Sequence, residues 1–147
     1  MKKRSSRLQV VLNLAEQRKA QAEQFLGEQV KRVETDKVQL AQLQDYLAEY
    51  QQAYREAVNR GLDIGQLQNY QAFMAKISDA IEKHRKSMQH NLVQLEQIKK
   101  YWAQMHGKHQ AVDNLVSKVV AQEKQVEDKQ LQKLLDERSQ LRPSAFI

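Results

Sequence analysis

Residues 59–65 read N-R-G-L-D-I-G, the only strong turn signal in the 147-residue chain. Gly61 and Gly65 stand beside Asn59 and Asp63, a combination that interrupts a helix. Gly61 can end a preceding helix by taking the left-handed conformation. Long apolar repeats flank this stretch, so the turn separates two helical arms.

Working back from the turn, a heptad runs without a break from Leu8. Its d positions are Leu8, Ala15, Ala22, Gln29, Asp36, Leu43, Tyr50 and Ala57. Its a positions are Leu12, Lys19, Leu26, Val33, Leu40, Leu47 and Tyr54. Lys19, Gln29 and Asp36 are the polar intrusions. Forward of the turn, the a series is Leu67, Met74, Ile81, Met88, Leu95, Trp102, His109 and Val116. The d series is Tyr70, Ile77, His84, Asn91, Ile98, Met105, Val112, Val119 and Val126. A seam of period 3.5 is the signature of a coiled coil. Beyond residue 120 the repeat weakens, although Leu131, Leu134 and Leu135 mark a shifted stripe. Pro143 ends helical structure, and residues 143–147 read as a loose tail.

The composition points the same way. One Pro, four Gly and 29% charged residues describe long helices rather than sheets with turns. Aromatics at 6% and a mean hydropathy of −0.78 leave too little apolar surface for a layered core, but enough for a two-residue seam. The fold class expected is therefore all-α. Two single-face helices joined by a short turn pack antiparallel. Helix 1 spans about residues 5–59, the turn 60–65, helix 2 about 66–139, and the tail 140–147, as a single coiled-coil domain. Position i on helix 1 should face about 123 − i on helix 2, so residues near 5 meet residues near 118. The last 20 or so helical residues then overhang.

Several chemistries lack their residues. There is no cysteine, which removes disulfide and zinc-thiolate scaffolds. No apolar run approaches the ~20 residues needed to cross a bilayer. The basic start lacks the continuous apolar stretch of a secretory leader, so a cytoplasmic protein is expected. The glycines are scattered and form no phosphate-binding loop, and a two-helix rod has no pocket in which to desolvate a catalytic set. His106, His109 and Asp113 are the nearest approach to a metal cluster, and His109 reads better as a polar seam residue. Neither an enzyme activity nor a cofactor nor a metal is expected.

The net charge is +6. Residues 1–20 hold Lys2, Lys3, Arg4, Arg7, Arg18 and Lys19 against Glu16 alone. Such an end suits an acidic protein, nucleic acid or an anionic membrane surface. Because the aromatics sit in or beside the seam, not among the Lys/Arg side chains, nucleic acid is the weaker reading. Tyr46, Tyr50 and Tyr54 recur every four residues and cross the seam through g, d and a.

The segments Q-L-A-Q-L-Q-D-Y-L-A-E-Y (39–50) and N-Y-Q-A-F-M-A-K-I-S-D-A-I-E-K-H (69–84) flank the turn. Together they resemble the FliJ family, the small coiled-coil component of the bacterial flagellar protein export apparatus. The resemblance implies an antiparallel two-helix coiled coil, similar to the central stalk subunit of rotary ATPases. It implies a non-enzymatic coupling factor that binds the export ATPase FliI, a hexamer, and promotes its ring assembly. It also implies contacts with the export-gate protein FlhA and with unladen export chaperones, and hence a place at the cytoplasmic face of the inner membrane at the flagellar base. The family's gate-binding positions match Gln39, Leu43, Tyr46, Tyr50, Phe73, Ile77, Ala80 and His84. Ile77 stands where some relatives carry Leu, and Tyr54 is outside the set. All eight fall at d or g, which in an antiparallel pair gather on one side near the turn. The end away from the turn, with Arg4, Arg7, Arg18, Lys19, Leu131, Leu134 and Leu135, would enter the ATPase ring. A dimerising structural coiled coil, or an export chaperone with no ATPase contact, is the competing reading. A basic coiled coil that binds nucleic acid is the third.

Overall fold

The computed structural model describes residues 3–141. Helix α1 (Arg4–Asn59) and helix α2 (Ile64–Leu141) pack antiparallel as an all-α hairpin, with no strand among the described residues. Leu, Gln, Ala, Glu and Lys dominate both helices, residues that lose little side-chain freedom in a helix. Proline is absent from both.

The turn is built by a complete set of end contacts. Gly61 has φ 74°, the left-handed conformation that closes α1. The Leu62 amide donates to the Ala57 carbonyl at 3.2 Å, and the Gly61 amide donates to Val58 at 3.1 Å. These are the paired bonds of a Schellman stop. Asp63 then starts α2: its side-chain Oδ1 accepts from the Gly65 amide at 2.9 Å, and its carbonyl accepts from Leu67 at 3.1 Å. That cap draws the start of α2 to Ile64, two residues before the expected 66. The helix continues to Leu141. Pro143 and the expected 143–147 tail lie outside the described residues, as does Lys2.

Every buried side chain occupies an a or d position of the two repeats. They are Ala22, Gln29, Val33, Asp36 and Ala57 on α1, and Ile77, Ile81, Leu95, Met105, Val116 and Val119 on α2. No large side chain among the described residues is completely enclosed, as expected where a single seam is all that excludes water. Burial ends at Glu123, and residues 124–141 are exposed throughout.

The contacts divide the chain into two packed units. One spans Ala22–Trp102 and contains the turn; the other joins the first 21 residues to the segment from Ala103 onward. The turn unit holds a polar cluster inside its seam. The Asn91 amide Nδ2 donates to Asp36 Oδ2 at 2.6 Å, and Gln29 Nε2 donates to the Asn91 carbonyl at 2.8 Å. His84 Nε2 donates to the Asp36 carbonyl at 2.7 Å. All four residues are at d, and among the described residues no buried side-chain polar atom is left without a partner. Burying a carboxylate is costly unless hydrogen bonds replace its water, which the Asn91 bond partly does.

In the terminal unit the start of α1 is held by carboxylates of α2. The Ser5 amide and Oγ donate to the two oxygens of Glu123, at 3.1 and 2.6 Å. Lys3 Nζ pairs with Glu127 at 2.5 Å. Ser5 thus meets Glu123 rather than the expected neighbourhood of 118. Side chains lean toward the N-terminus of their own helix. In an antiparallel pair the two leans oppose, so touching residues carry a higher number sum than backbone register alone gives. The long Glu123 and Glu127 side chains extend the offset further.

Candidate interaction surfaces

The aromatic surface of the turn unit grows out of the heptad phase. Tyr46 at g and Tyr50 at d sit one helical turn apart on α1, and Phe73 at g faces them from α2. The Tyr50 and Phe73 rings are 4.6 Å apart at 34°, and the Tyr46 ring meets Tyr50 at 5.1 Å and Phe73 at 6.1 Å, both edge to face. Tyr70 extends the cluster, 6.3 Å from Tyr50 and from Tyr54. Such ring pairs contribute roughly 0.5–1.5 kcal/mol each beyond area burial. The cluster is nevertheless half open, with Tyr46 42% and Phe73 37% exposed. A hydrogen bond to Tyr46, and secondarily partial burial, holds the Tyr50 hydroxyl above its ordinary pKa. The phenol stays protonated and able to donate across the neutral range.

Two open grooves adjoin this cluster. One, of about 630 Å³, is lined by Tyr50, Ala53, Leu62, Gln66, Asn69, Tyr70 and Phe73. The other, of about 460 Å³, is lined by Gln39, Gln42, Leu43, Tyr46 and His84. The opposite side of the same unit is built from different residues, Gln44, Gln51, Ser78, Glu82 and Arg85 around Leu47 and Ile81. A further groove on that side is lined by Tyr54, Leu47 and Met74 among polar residues, so the Tyr46, Tyr50 and Phe73 cluster, rather than aromatic character as such, sets the first side apart.

The eight residues named from sequence all lie in the turn unit, but they do not have equal access. Gln39, Tyr46, Phe73 and Ala80 are exposed, Leu43, Tyr50 and His84 are half-buried, and Ile77 is buried at 5%. Ile77 is a floor beneath the surface rather than part of it. His84 commits Nε2 to the Asp36 carbonyl, leaving only its other ring edge beside Gln39 and Tyr46. Tyr54 is half-buried and its hydroxyl accepts from Gln71 at 2.9 Å, a seam role. Tyr70 is a seam position and Leu62 a turn position in the sequence, and Asn69 opens the segment 69–84. Their place on the groove follows from the hairpin's tight closure, which a linear heptad does not encode.

The terminal unit carries the second set. Arg4, Arg7 and Arg18 are exposed, whereas Lys19 at a is half-buried along its stem. Leu131, Leu134 and Leu135 are 57%, 62% and 55% exposed. Among the described residues no His, Asp and Glu group could hold a metal ion, and no helix is long and apolar enough to cross a membrane. His109 is half-buried at its a position.

These features define an antiparallel coiled-coil hairpin that presents side-chain patches and open grooves rather than an enclosed cleft. The sequence profile of the flagellar FliJ protein family matches residues 4–145. The flagellar FliJ protein of Salmonella typhi is 28% identical over 133 residues, covering 90% of this chain and 90% of its own length. The chain belongs to the FliJ family, whose members are non-catalytic components of flagellum biogenesis and flagellar protein export. No solved structure matches it.

Proposed function

We propose that this chain couples the ATPase and the gate of flagellar type III export through two separate surfaces. The aromatic patch of the turn unit binds the export-gate protein FlhA. The terminal unit binds the FliI ring through Arg4, Arg7, Arg18 and Lys19, and through the exposed Leu131, Leu134 and Leu135, promoting its assembly. Unladen export chaperones are further partners. The work is done at the cytoplasmic face of the inner membrane, where the chain is held by the gate rather than by a span of its own. Neither catalysis nor a cofactor is part of this role.

The observation that carries the proposal is the stacking of Tyr46, Tyr50 and Phe73 across both helices with Tyr46 and Phe73 left open to solvent. Exposed aromatics fixed by neighbours bind with little loss of side-chain freedom, the property of interface anchors. Burial alone would have placed such rings wholly inside the seam.

Removing residues 124–147 tests the assignment of surfaces. The shortened chain should keep FlhA binding and lose most of its stimulation of FliI. Loss of gate binding with stimulation intact would reverse the two assignments.

A further inference from the structure

Three basic residues of the N-terminal segment, Arg4, Arg7 and Arg18, share one flank of the heptad, whereas Lys3 is at f and Lys19 at a. Between residues 4 and 21, and between 103 and 122, the c and g positions hold Arg4, Arg7, Arg18, Lys108 and Lys118 and no Asp or Glu. The matching b and e positions of the same segments hold Glu16 and Asp113 and no Lys or Arg. In an antiparallel pair the c and g positions of both helices share one flank. Arg4 at g and Gln122 at g line the same groove here, together with Glu123 at a and Glu127 at e. All five cations are exposed, and among the described residues Arg7, Arg18, Lys108 and Lys118 form no salt bridge. The Arg4 charge contributes, after Ser5 and Lys3, to holding the Glu123 carboxyl below its ordinary range.

The same flank shows apolar side chains between its cations. Val11 at g and Leu14 at c on α1, with Leu115 at g on α2, are 48%, 46% and 38% exposed. Over residues 4–21 and 103–122 one flank is thus a cationic strip set with aliphatic side chains, and the other carries Glu16 and Asp113 among uncharged residues that include Val120, 49% exposed.

We infer that this flank is a one-sided docking surface for an acidic protein partner, one whose carboxylates alternate with aliphatic side chains. The inference rests on the reading that the terminal unit contacts the export ATPase, and it assigns that contact to the c and g flank. It adds Lys108 and Lys118 to the contact set, removes Lys19, whose a position turns it into the seam, and leaves Leu131, Leu134 and Leu135, at b, e and f, outside this flank. Charge complementarity of this kind sets orientation and association rate. A strip on one side fixes the angular position of the hairpin against its partner, which a uniformly basic end would not. An anionic bilayer fits the flank less well. Interfacial helices bury a continuous apolar face, commonly with Trp or Phe, whereas the exposed aliphatic patch of Val10, Val11 and Leu14 spans a single turn between Arg7 and Arg18.

Two triple variants of the full chain with the same charge change separate flank from net charge. Arg7→Gln/Arg18→Gln/Lys118→Gln neutralises the strip, and Gln9→Glu/Gln110→Glu/Ser117→Glu adds three carboxylates to the other flank. Binding to purified FliI hexamer is measured at rising salt, with helicity followed in parallel. The first variant should bind about tenfold or more weakly with a flatter salt dependence, and the second within about twofold of wild type. Equal weakening by both would overturn the flank in favour of net charge, and unchanged binding by both would remove the strip from the contact. Failure of the wild-type chain to bind FliI would instead overturn the ATPase reading, and this inference with it. Phosphatidylglycerol vesicle binding lost only in the first variant, with FliI binding retained, would give the flank to lipid and overturn the protein partner.

Discussion

The rings of Tyr50 on α1 and Phe73 on α2 lie 4.6 Å apart, tilted by 34°, and bridge the two helices beside the turn. Their positions are not equivalent. Tyr50 meets three other rings and is half-buried, whereas Phe73 meets two and is 37% exposed. Tyr50→Ala should therefore cost about 2–3 kcal/mol and Phe73→Ala about 1–2 kcal/mol. Urea unfolding of both variants checks the order. Phe73→Ala, with Tyr46→Ala, is accordingly the cleaner probe of binding, because less of its effect passes through stability.

Asn91 and Asp36 form a cross-helix hydrogen bond inside the seam, at 2.6 Å. Asn91→Leu leaves the Asp36 carboxylate without that donor and should destabilise by about 1–3 kcal/mol. Adding Asp36→Leu should recover most of the loss, since two apolar d residues need no partner. A double-mutant cycle by urea denaturation reads the coupling, and additive losses would show that the bond contributes little.

Gly61 holds the left-handed end of α1 with nothing within 4 Å of where a Cβ would stand. Space is available, so the cost of a side chain is conformational. Gly61→Ala should lower stability by about 1–2 kcal/mol, and Gly61→Asn by less. Thermal unfolding of the two variants distinguishes this from a steric effect, which would penalise the larger Asn more.

Glu123 is held below the usual carboxylate range, chiefly by the Ser5 hydroxyl and then by the Ser5 amide. A depressed folded-state pKa contributes stability above the unfolded value, lost as pH falls through the folded one. The first turn of α1 should fray on acidification into that range, seen as faster amide exchange after correction for pH. Glu123→Gln should show no such step. Lys3 is shifted upward by its hydrogen bond to and charge pairing with Glu127, so the stability linked to its proton is present below the ordinary lysine pKa and is lost as pH rises through the raised one.

The seam was legible because a and d recur over many turns, and every buried residue falls on them. Repetition makes that signal robust to the polar intrusions at Gln29 and Asp36. What pairs with those intrusions was not legible. Asp36 meets Asn91 and His84 only once register and side-chain lean are both fixed, and heptad letters carry neither. The same holds for the Ser5–Glu123 clasp, which depends on reach across the pair. At the candidate patch, periodicity placed Tyr46 and Phe73 on one flank, where their rings lie 6.1 Å apart. It did not separate accessible Phe73 from buried Ile77, because d and g differ in exposure only when the partner helix is in place.

In the proposed function, gate binding and ATPase binding reside on separate surfaces. The most direct test measures FlhA binding and FliI stimulation side by side for wild type and Tyr46→Ala/Phe73→Ala, at matched helicity. The variant should lose at least about tenfold in FlhA affinity, as expected for paired aromatic anchors, while stimulating FliI like wild type. Retained FlhA affinity, or an equal loss of both activities in a folded variant, would contradict it.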